Sequence, residues 1–274
     1  MKSRDPVEAL NSRGGAARAA DLARLGVGSA ALQRAVAEGR VWKGNPGVYL
    51  LPGVDGALLH TVTWRSSLAC VSAAKETGLW VWKAPSGTHL SSATTFECPE
   101  GIVMHRTKAR HGYLVPDLVM LRQVMRCLPE PEALVIVESA VVKKRVTLAA
   151  LRDDCRGRGS DVTRRIVRKV DPKAQSPAET LARDALLRAG YRVRSQVPVA
   201  GVGHVDLEVD GVLLVEIDGR TYHSDARDFE EDRRRGNAAS LKRRFVMRIP
   251  ARWVLEDPQA VVREVEAWFR GKRS

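Results

Sequence analysis

Between His204 and Gly219 the chain reads His-Val-Asp-Leu-Glu-Val-Asp-Gly-Val-Leu-Leu-Val-Glu-Ile-Asp-Gly, with Tyr222-His223 close behind. Aliphatic residues alternate with acids up to an Asp-Gly pair and resume after it, the pattern of two strands joined by a tight turn. A carboxylate on a central strand costs several kcal/mol to desolvate unless a cation or hydrogen-bond donors hold it. Acids gathered at the open end of an otherwise apolar strand pair therefore predict a shared cation. Oxygen-only ligands favour a hard divalent ion, Mg2+ or Mn2+.

The turn decides whether those acids can act together. A two-residue Asp210-Gly211 turn pairs Val209 with Val212, sets Asp206 against Val215, and sends Asp206 and Glu216 to opposite faces. An odd loop over 209–211, with Gly211 left-handed, pairs Glu208 with Val212 and Asp206 with Leu214. His204, Asp206, Glu216 and Asp218 then share one face; Val205, Leu207, Leu213, Val215 and Ile217 share the other. This register buries no lone carboxylate among aliphatics and is the one predicted.

The flanking residues extend the pattern. Ser176-Pro177-Ala178-Glu179 opens a helix with an N-cap serine, a proline in the first turn and a glutamate three residues after the cap. Ala178, Leu181, Ala182, Ala185, Leu186 and Ala189 form its apolar stripe, and Gly190 stops it. A strand follows to Val199, then strands at 203–209 and 212–218, a charged helix from about Asp225 to Lys242, and a strand at 245–249. The order is αβββαβ, followed by a terminal amphipathic helix from Pro258 to Arg270.

Charge points to the partner. The 274 residues carry 45 Lys and Arg against 32 Asp and Glu, a net charge of +13. Such an excess suits an anionic partner, with nucleic acid the first candidate. Cys70, Cys98, Cys127 and Cys155 include no C-x-x-C pair, so a zinc ribbon is not expected, and His60, His89, His105 and His111 show no metal-ligand spacing. The opening residues contain no apolar signal core and no run reaches the roughly 20 apolar residues of a membrane span, so a cytoplasmic protein with reduced thiols and no membrane partner is expected.

The first sixty residues hold a helical run over 16–25, a stop at Gly26, a short helix from Ala30 to Glu38 capped by Ser29, and two short strands around Asn45-Pro46-Gly47. This is a winged helix-turn-helix pattern. Its second helix would enter the major groove, with Gln33 and Arg34 reaching base edges and Arg40 and Lys43 on phosphates. A small packing domain that touches no DNA is the other reading. The middle, 57–172, is read as mainly helical: Trp64 to Glu76, Pro131 to Val142 and Thr147 to Asp154, with strands at 89–91 and 102–105. Arg164, Arg165 and Arg168 share a helix face that either follows a phosphate backbone or is simply solvated. Trp80 and Trp82 are expected in a core.

The order and residues of the last hundred positions resemble the PD-(D/E)XK nuclease superfamily, and within it the very-short-patch-repair endonucleases. Ser-Pro-Ala-Glu179, His-Val-Asp206 and Val-Glu216-Ile-Asp218-Gly-Arg-Thr-Tyr222-His223 match that branch in order and approximate spacing. Asp232-Arg233-Arg234-Arg235 and Val246-Met247-Arg248 match its later helix and strand. Taken whole, the chain is similar to actinobacterial proteins that join an abortive-infection (AbiEi-type) antitoxin-like region to such a nuclease domain, the former on Gly-Val-Tyr-Leu-Leu-Pro-Gly at 47–53. The expected fold is α/β, of the α+β multidomain kind: a winged helix-turn-helix at 1–56, a mainly helical middle domain at 57–172, and a nuclease core at 173–274.

The resemblance implies a metal-dependent DNA endonuclease. Asp206 and Glu216 would bind Mg2+ or Mn2+ with the scissile phosphate and water. Glu179 would hold a second ion or a metal-bound water, or serve only its capping box. The superfamily expects Lys two residues after the Glu; here that position is Asp218, which leaves His223 as first and Asp218 as second candidate to orient the water. Arg233 is expected at a phosphate or in solvent. Asp206 and Glu216 could instead be salt-bridged to nearby arginines, and the rival reading is a non-enzymatic DNA-binding regulator of antitoxin type with an inactive nuclease fold. A homodimer, or a protein partner in a defence or mobile-element system, is compatible with either. A fragment beginning near Lys173 is expected to keep weak cleavage while losing affinity.

Overall fold

The computed structural model describes residues 3–94, 98–108, 111–157, 159–199, 203–219 and 245–272. His223, Arg233 and the helix expected over 225–242 lie outside the described residues. The chain is a mixed α/β protein, with three small sheets among the described residues. It divides into two compact units, residues 1–76 with 85–123, and residues 77–84 with 124–274. The segment read as a middle domain is thus shared between them. No helix among the described residues is long and apolar enough to cross a membrane.

In the first unit, α1 (Pro6–Asn11), β1 (Ala16–Arg18), α2 (Ala19–Arg24), α3 (Ser29–Ala37), β2 (Trp42–Lys43) and β3 (Val48–Leu50) follow one another, and the strands form a sheet in the order β1-β3-β2. Leu10, Leu22, Leu32, Ala35 and Val41 make its core. The expected helix over 16–25 begins instead as a strand, because Ala16, Ala17 and Arg18 pair with Leu50, Tyr49 and Val48. Gly28, not Ser29, is the N-cap of α3.

The rest of this unit holds α4 (Gly56–Thr63), β4 (Ser67–Leu68), α5 (Cys70–Glu76), β5 (Thr88–Ser92) and β6 (Ile102–Arg106). The helix predicted from Trp64 to Glu76 is corrected. Arg65 and Cys70 have φ of 49° and 48°, and between them Ser67 and Leu68 leave the helical path to pair with Ser91 and Leu90. A non-local strand pairing overrides the local helical propensity here. The helix α6 (Asp117–Cys127), which the sequence analysis did not assign, runs from the first unit's stretch of chain into the second's.

The second unit contains α7 (Glu130–Val142), α8 (Leu148–Asp154), α9 (Asp161–Lys169), α10 (Pro177–Arg188), β7 (Val193–Val199), β8 (Gly203–Val209), β9 (Leu213–Asp218), β10 (Phe245–Pro250), α11 (Ala251–Glu256) and α12 (Gln259–Gly271). Its sheet has the order β10-β9-β8-β7; β7, β8 and β9 are antiparallel neighbours and β10 lies parallel to β9. One sheet face, carrying Leu207, Val209, Leu213, Val215, Ile217 and Ile249, packs on Ala178, Leu181, Ala182, Ala185 and Leu186 of α10, with Val254 of α11 and Val261 and Val265 of α12. Trp80 and Trp82 pack against this core as expected. Val205 does not join it. It clusters with Val197, Val199, Leu214 and Val246 instead, so the apolar face predicted as uninterrupted is broken at Asp206.

The β8–β9 register explains how the acids are placed. Leu207 pairs with Val215, Glu208 with Leu214 and Val209 with Leu213. The loop has an odd count, as expected, but spans 210–212 rather than 209–211. The shift has a cause outside the hairpin: the Asp210 N–H donates to the Arg192 carbonyl at 2.8 Å, and Asp210 Oδ1 accepts from the Arg192 N–H at 2.9 Å. Holding Asp210 at the end of β7 keeps Val209 in the ladder, where it and Leu213 are fully buried. The partner of each β8 residue moves by two positions, and an even shift changes no face.

Gly211 sits at φ +77° with open space around its α-carbon. Gly211→Val is therefore expected to destabilise by about 1–3 kcal/mol through backbone strain alone, whereas Gly211→Asn should lose little. Urea unfolding of both variants checks this; equal losses would place the effect elsewhere.

Candidate functional site

The acids are positioned by the end of the β8–β9 ladder. The last pair is Leu207–Val215, and Asp206 and Glu216 are the next residues along the two strands, beyond the paired stretch. The ladder opens here because Asp206 turns its own carboxylate into it: Oδ2 accepts from the Ile217 N–H at 2.8 Å. On the other side the β7–β8 ladder skips Gln196 and Asp206. Gln196 adopts φ 50°, and its amide nitrogen donates both to Asp206 Oδ1 at 3.1 Å and to Glu179 Oε2 at 3.0 Å.

Gln196 is thus the residue that ties the helix to the strands, although in the sequence it is only a polar position of an alternating strand. Its signal was weak: an amide two residues before Pro198, with nothing local to show its backbone turn.

Glu179 stands at the N-terminal end of α10, brought toward Asp206 by the packing of that helix. It completes a capping box. Ser176 Oγ accepts from the Glu179 N–H at 3.2 Å and donates to Glu179 Oε1 at 2.9 Å, while Oε2 also accepts from the Gln175 N–H at 3.0 Å. Burial pushes the Glu179 carboxyl above its ordinary range and the Asp206 charge adds to that, against the three hydrogen bonds. Both of its oxygens are committed within the fold, which suits a positioning role.

Glu216 has a basic partner. Arg248 of β10 pairs with it in register and donates Nε–H to Glu216 Oε2 at 3.0 Å. The Arg248 side chain is 38% exposed and that of Glu216 16%. A pair this close to solvent contributes about 0–1 kcal/mol, so it does not bar a divalent cation from Glu216. Asp218 and His204 are exposed at the same open end. Glu179, Asp206 and Glu216 do not, as a trio, hold their oxygens all within 4.8 Å of one another among the described residues. Asp206 and Glu216 are oxygen donors of the kind a hard cation takes; Glu179 is linked to Asp206 through Gln196.

Other residues of α10, from Thr180 to Asp184, sit in an ion network. Glu138 of α7 is fully buried and accepts from Arg183 at 2.5 Å, from the Thr180 hydroxyl at 2.7 Å and from the Asp171 N–H at 2.6 Å. Lys169 lies 2.6 Å from Glu130 and 2.8 Å from Asp184. These bonds make α7 part of the unit that carries the acids. A fragment starting at Lys173 would lose Glu138 and leave Arg183 buried without it, so the expected weak activity of that fragment does not follow. On α9, Arg165 pairs with Glu130, Arg164 with Asp161, and Arg168 donates to the Arg164 carbonyl.

In the first unit, Gln33 and Arg34 project outward from α3, and Lys43 is exposed on β2 beside Trp42. Arg40 is exposed and pairs with Glu38 at 2.6 Å and Asp5 at 3.4 Å. Arg40 is therefore held beside two acids rather than presented alone, while the other three stand on one helix and strand that the fold leaves open.

The same unit brings together residues that the sequence analysis set aside. His89 and His105 lie on adjacent parallel strands with Nδ1 and Nε2 3.1 Å apart, and Cys70 joins them from the first position of α5. Burial pushes both imidazoles below their usual range, His105 to about 4. No family model matches this chain, and no curated protein is similar to it.

Proposed function

We propose that the protein is a divalent-metal-dependent DNA endonuclease whose chemistry resides in the second unit, with the first unit supplying affinity for DNA through a winged-helix-like head. The observation that carries this reading is the set of acids where the β8–β9 ladder ends: Asp206 and Glu216 directly follow the last pair, and Asp206 is tied to the Ile217 N–H and, through Gln196, to Glu179. Two carboxylates there have the charge and donor type to hold Mg2+ or Mn2+. A bound ion of this kind lowers the pKa of water and neutralises charge on a phosphodiester. Gln196 fixes the Asp206 carboxylate, Glu179 fixes Gln196, and Arg248 offers a guanidinium within reach of a phosphate that approaches Glu216. Asp218 and His223 are the candidates for orienting the attacking water.

A second reading, a DNA-binding regulator with an inactive nuclease-like unit, draws on one specific observation: Arg248 already neutralises Glu216. Plasmid cleavage with Mg2+ separates the two. The nuclease reading expects cutting by the unaltered chain that is lost in Asp206→Ala and in Glu216→Ala while both variants stay folded; equal residual cutting by those variants would point to another site or a contaminant.

The head makes a prediction of its own. Lys43→Ala should weaken binding to all DNA sequences and lower the slope of log affinity against log salt by about one, because one phosphate contact and its released counterions are lost. Arg34→Ala should cost about 1–3 kcal/mol on a preferred sequence and little on others. Fluorescence anisotropy over a salt series measures both. Unchanged affinity in the two variants would remove this surface from the DNA-contact set.

A further inference from the structure

We propose that Cys70, His89 and His105 form a binding site for a zinc-class divalent ion within the first unit, separate from the acidic pair of the proposed nuclease site. Their ligand atoms lie within 4.8 Å of one another. Sulfur and imidazole donors select a borderline-soft cation, for which zinc is the first choice, over Mg2+.

The geometry comes from the sheet. In the parallel β5–β6 pair His89 faces Val103 and Ser91 faces His105, so the two histidines lie on one face, two positions offset. Their rings stack at 5.4 Å between centroids and 28° between planes, with His89 Nδ1 and His105 Nε2 3.1 Å apart. Two nitrogens bound to one tetrahedral zinc at roughly 2.0–2.1 Å stand about 3.3 Å apart. The pair is within a few tenths of an ångström of that edge. A sulfur at about 2.3 Å stands roughly 3.6 Å from each nitrogen in the same geometry, inside the 4.8 Å that bounds the ligand atoms here.

The three residues are held where a metal needs them. The Ala69 N–H donates to the His89 carbonyl at 2.9 Å, so β4 delivers Cys70 beside β5. Cys70 then takes φ 48° at the first position of α5, a conformation that costs a non-glycine residue about 1–3 kcal/mol and that is retained where the surroundings fix it. Gln123 provides the fixing: its Oε1 accepts from the Cys70 N–H at 3.2 Å and its Nε2 donates to Ser91 Oγ at 3.0 Å. The His89 N–H donates to Ser72 Oγ at 2.9 Å. Binding replaces the Cys70 S–H bond by a metal–sulfur bond and releases the proton to solvent; the fourth tetrahedral position is left to a further thiolate or a water.

Cobalt(II) titration of the purified full chain tests this, because a thiolate ligand gives a near-ultraviolet charge-transfer band and a tetrahedral site gives intense visible bands. The expected result is one cobalt bound per chain with both features, displaced by zinc and not by excess Mg2+. Asp206→Ala and Cys98→Ser should keep the spectrum, and Cys70→Ser combined with His105→Ala should abolish it. The absence of a charge-transfer band in the unaltered chain overturns the proposal whether or not the double variant folds. So does a band that survives in a folded double variant.

Discussion

Arg183→Ala is expected to destabilise the second unit by about 3–5 kcal/mol, because it leaves the Glu138 carboxylate buried without its counter-charge. Glu138 is fully buried and the Arg183 side chain is 7% exposed. With a urea slope of about 1–3 kcal/mol per molar, the midpoint should fall by on the order of 2 M. The deficit depends on pH in a definite direction. Burial already pushes the Glu138 carboxyl up, while Arg183, the Asp171 N–H and the Thr180 hydroxyl pull it back. Without Arg183 the folded-state pKa rises further above the unfolded one. The variant should therefore be closest to the unaltered protein at acidic pH and lose ground as pH rises through the raised folded-state value. Replacing both partners by apolar residues, Glu138→Leu with Arg183→Met, should recover most of the loss, since apolar replacement of a buried pair is often neutral or stabilising. A small, pH-independent loss in Arg183→Ala would show that water or another group compensates Glu138.

The second large effect concerns the proposed chemistry. Asp206→Asn keeps an acceptor for the Ile217 N–H but removes the charge that would hold a divalent ion. A metal ion contributes several kcal/mol to phosphodiester cleavage, so the rate should fall by roughly a thousandfold or more while the fold is kept. Glu179→Gln should behave differently. Glu179 already receives the Ser176 hydroxyl, the Gln175 N–H and the Gln196 amide, and an amide oxygen can still accept some of these. A loss of about tenfold to a hundredfold, the usual range for groups that orient metal ligands, is expected. Single-turnover cleavage by the two variants measures the difference; equal, complete loss in both would make Glu179 a direct ligand instead of a positioning residue.

What the sequence revealed follows from which interactions are local. The capping box at Ser176–Glu179 and the stop at Gly190 are readable because each rests on bonds within a few residues. The hairpin with its odd loop is readable because the alternation of aliphatic and acidic residues around Asp210-Gly211 is local. The position of the loop was not, because Asp210 is held by Arg192 on another strand. The break at Trp64–Ala69 was hidden for the same reason, a pairing of Ser67 and Leu68 with residues more than twenty positions away. The Cys70–His89–His105 group escaped because its members are nineteen and sixteen positions apart, and only the sheet brings them together. Gln196, the bridge between Glu179 and Asp206, depends on a positive φ that no residue of its type announces.

The central claim, that the acidic pair supports metal-dependent cleavage of DNA, is tested most directly by incubating the unaltered chain with supercoiled plasmid in Mg2+ and in a chelator. The account predicts nicked or linear product in Mg2+, none in the chelator, and recovery when Mg2+ or Mn2+ is restored. It is contradicted if supercoiled, single-stranded and mismatched DNA all stay intact in both metals, or if cleavage continues undiminished in Asp206→Asn.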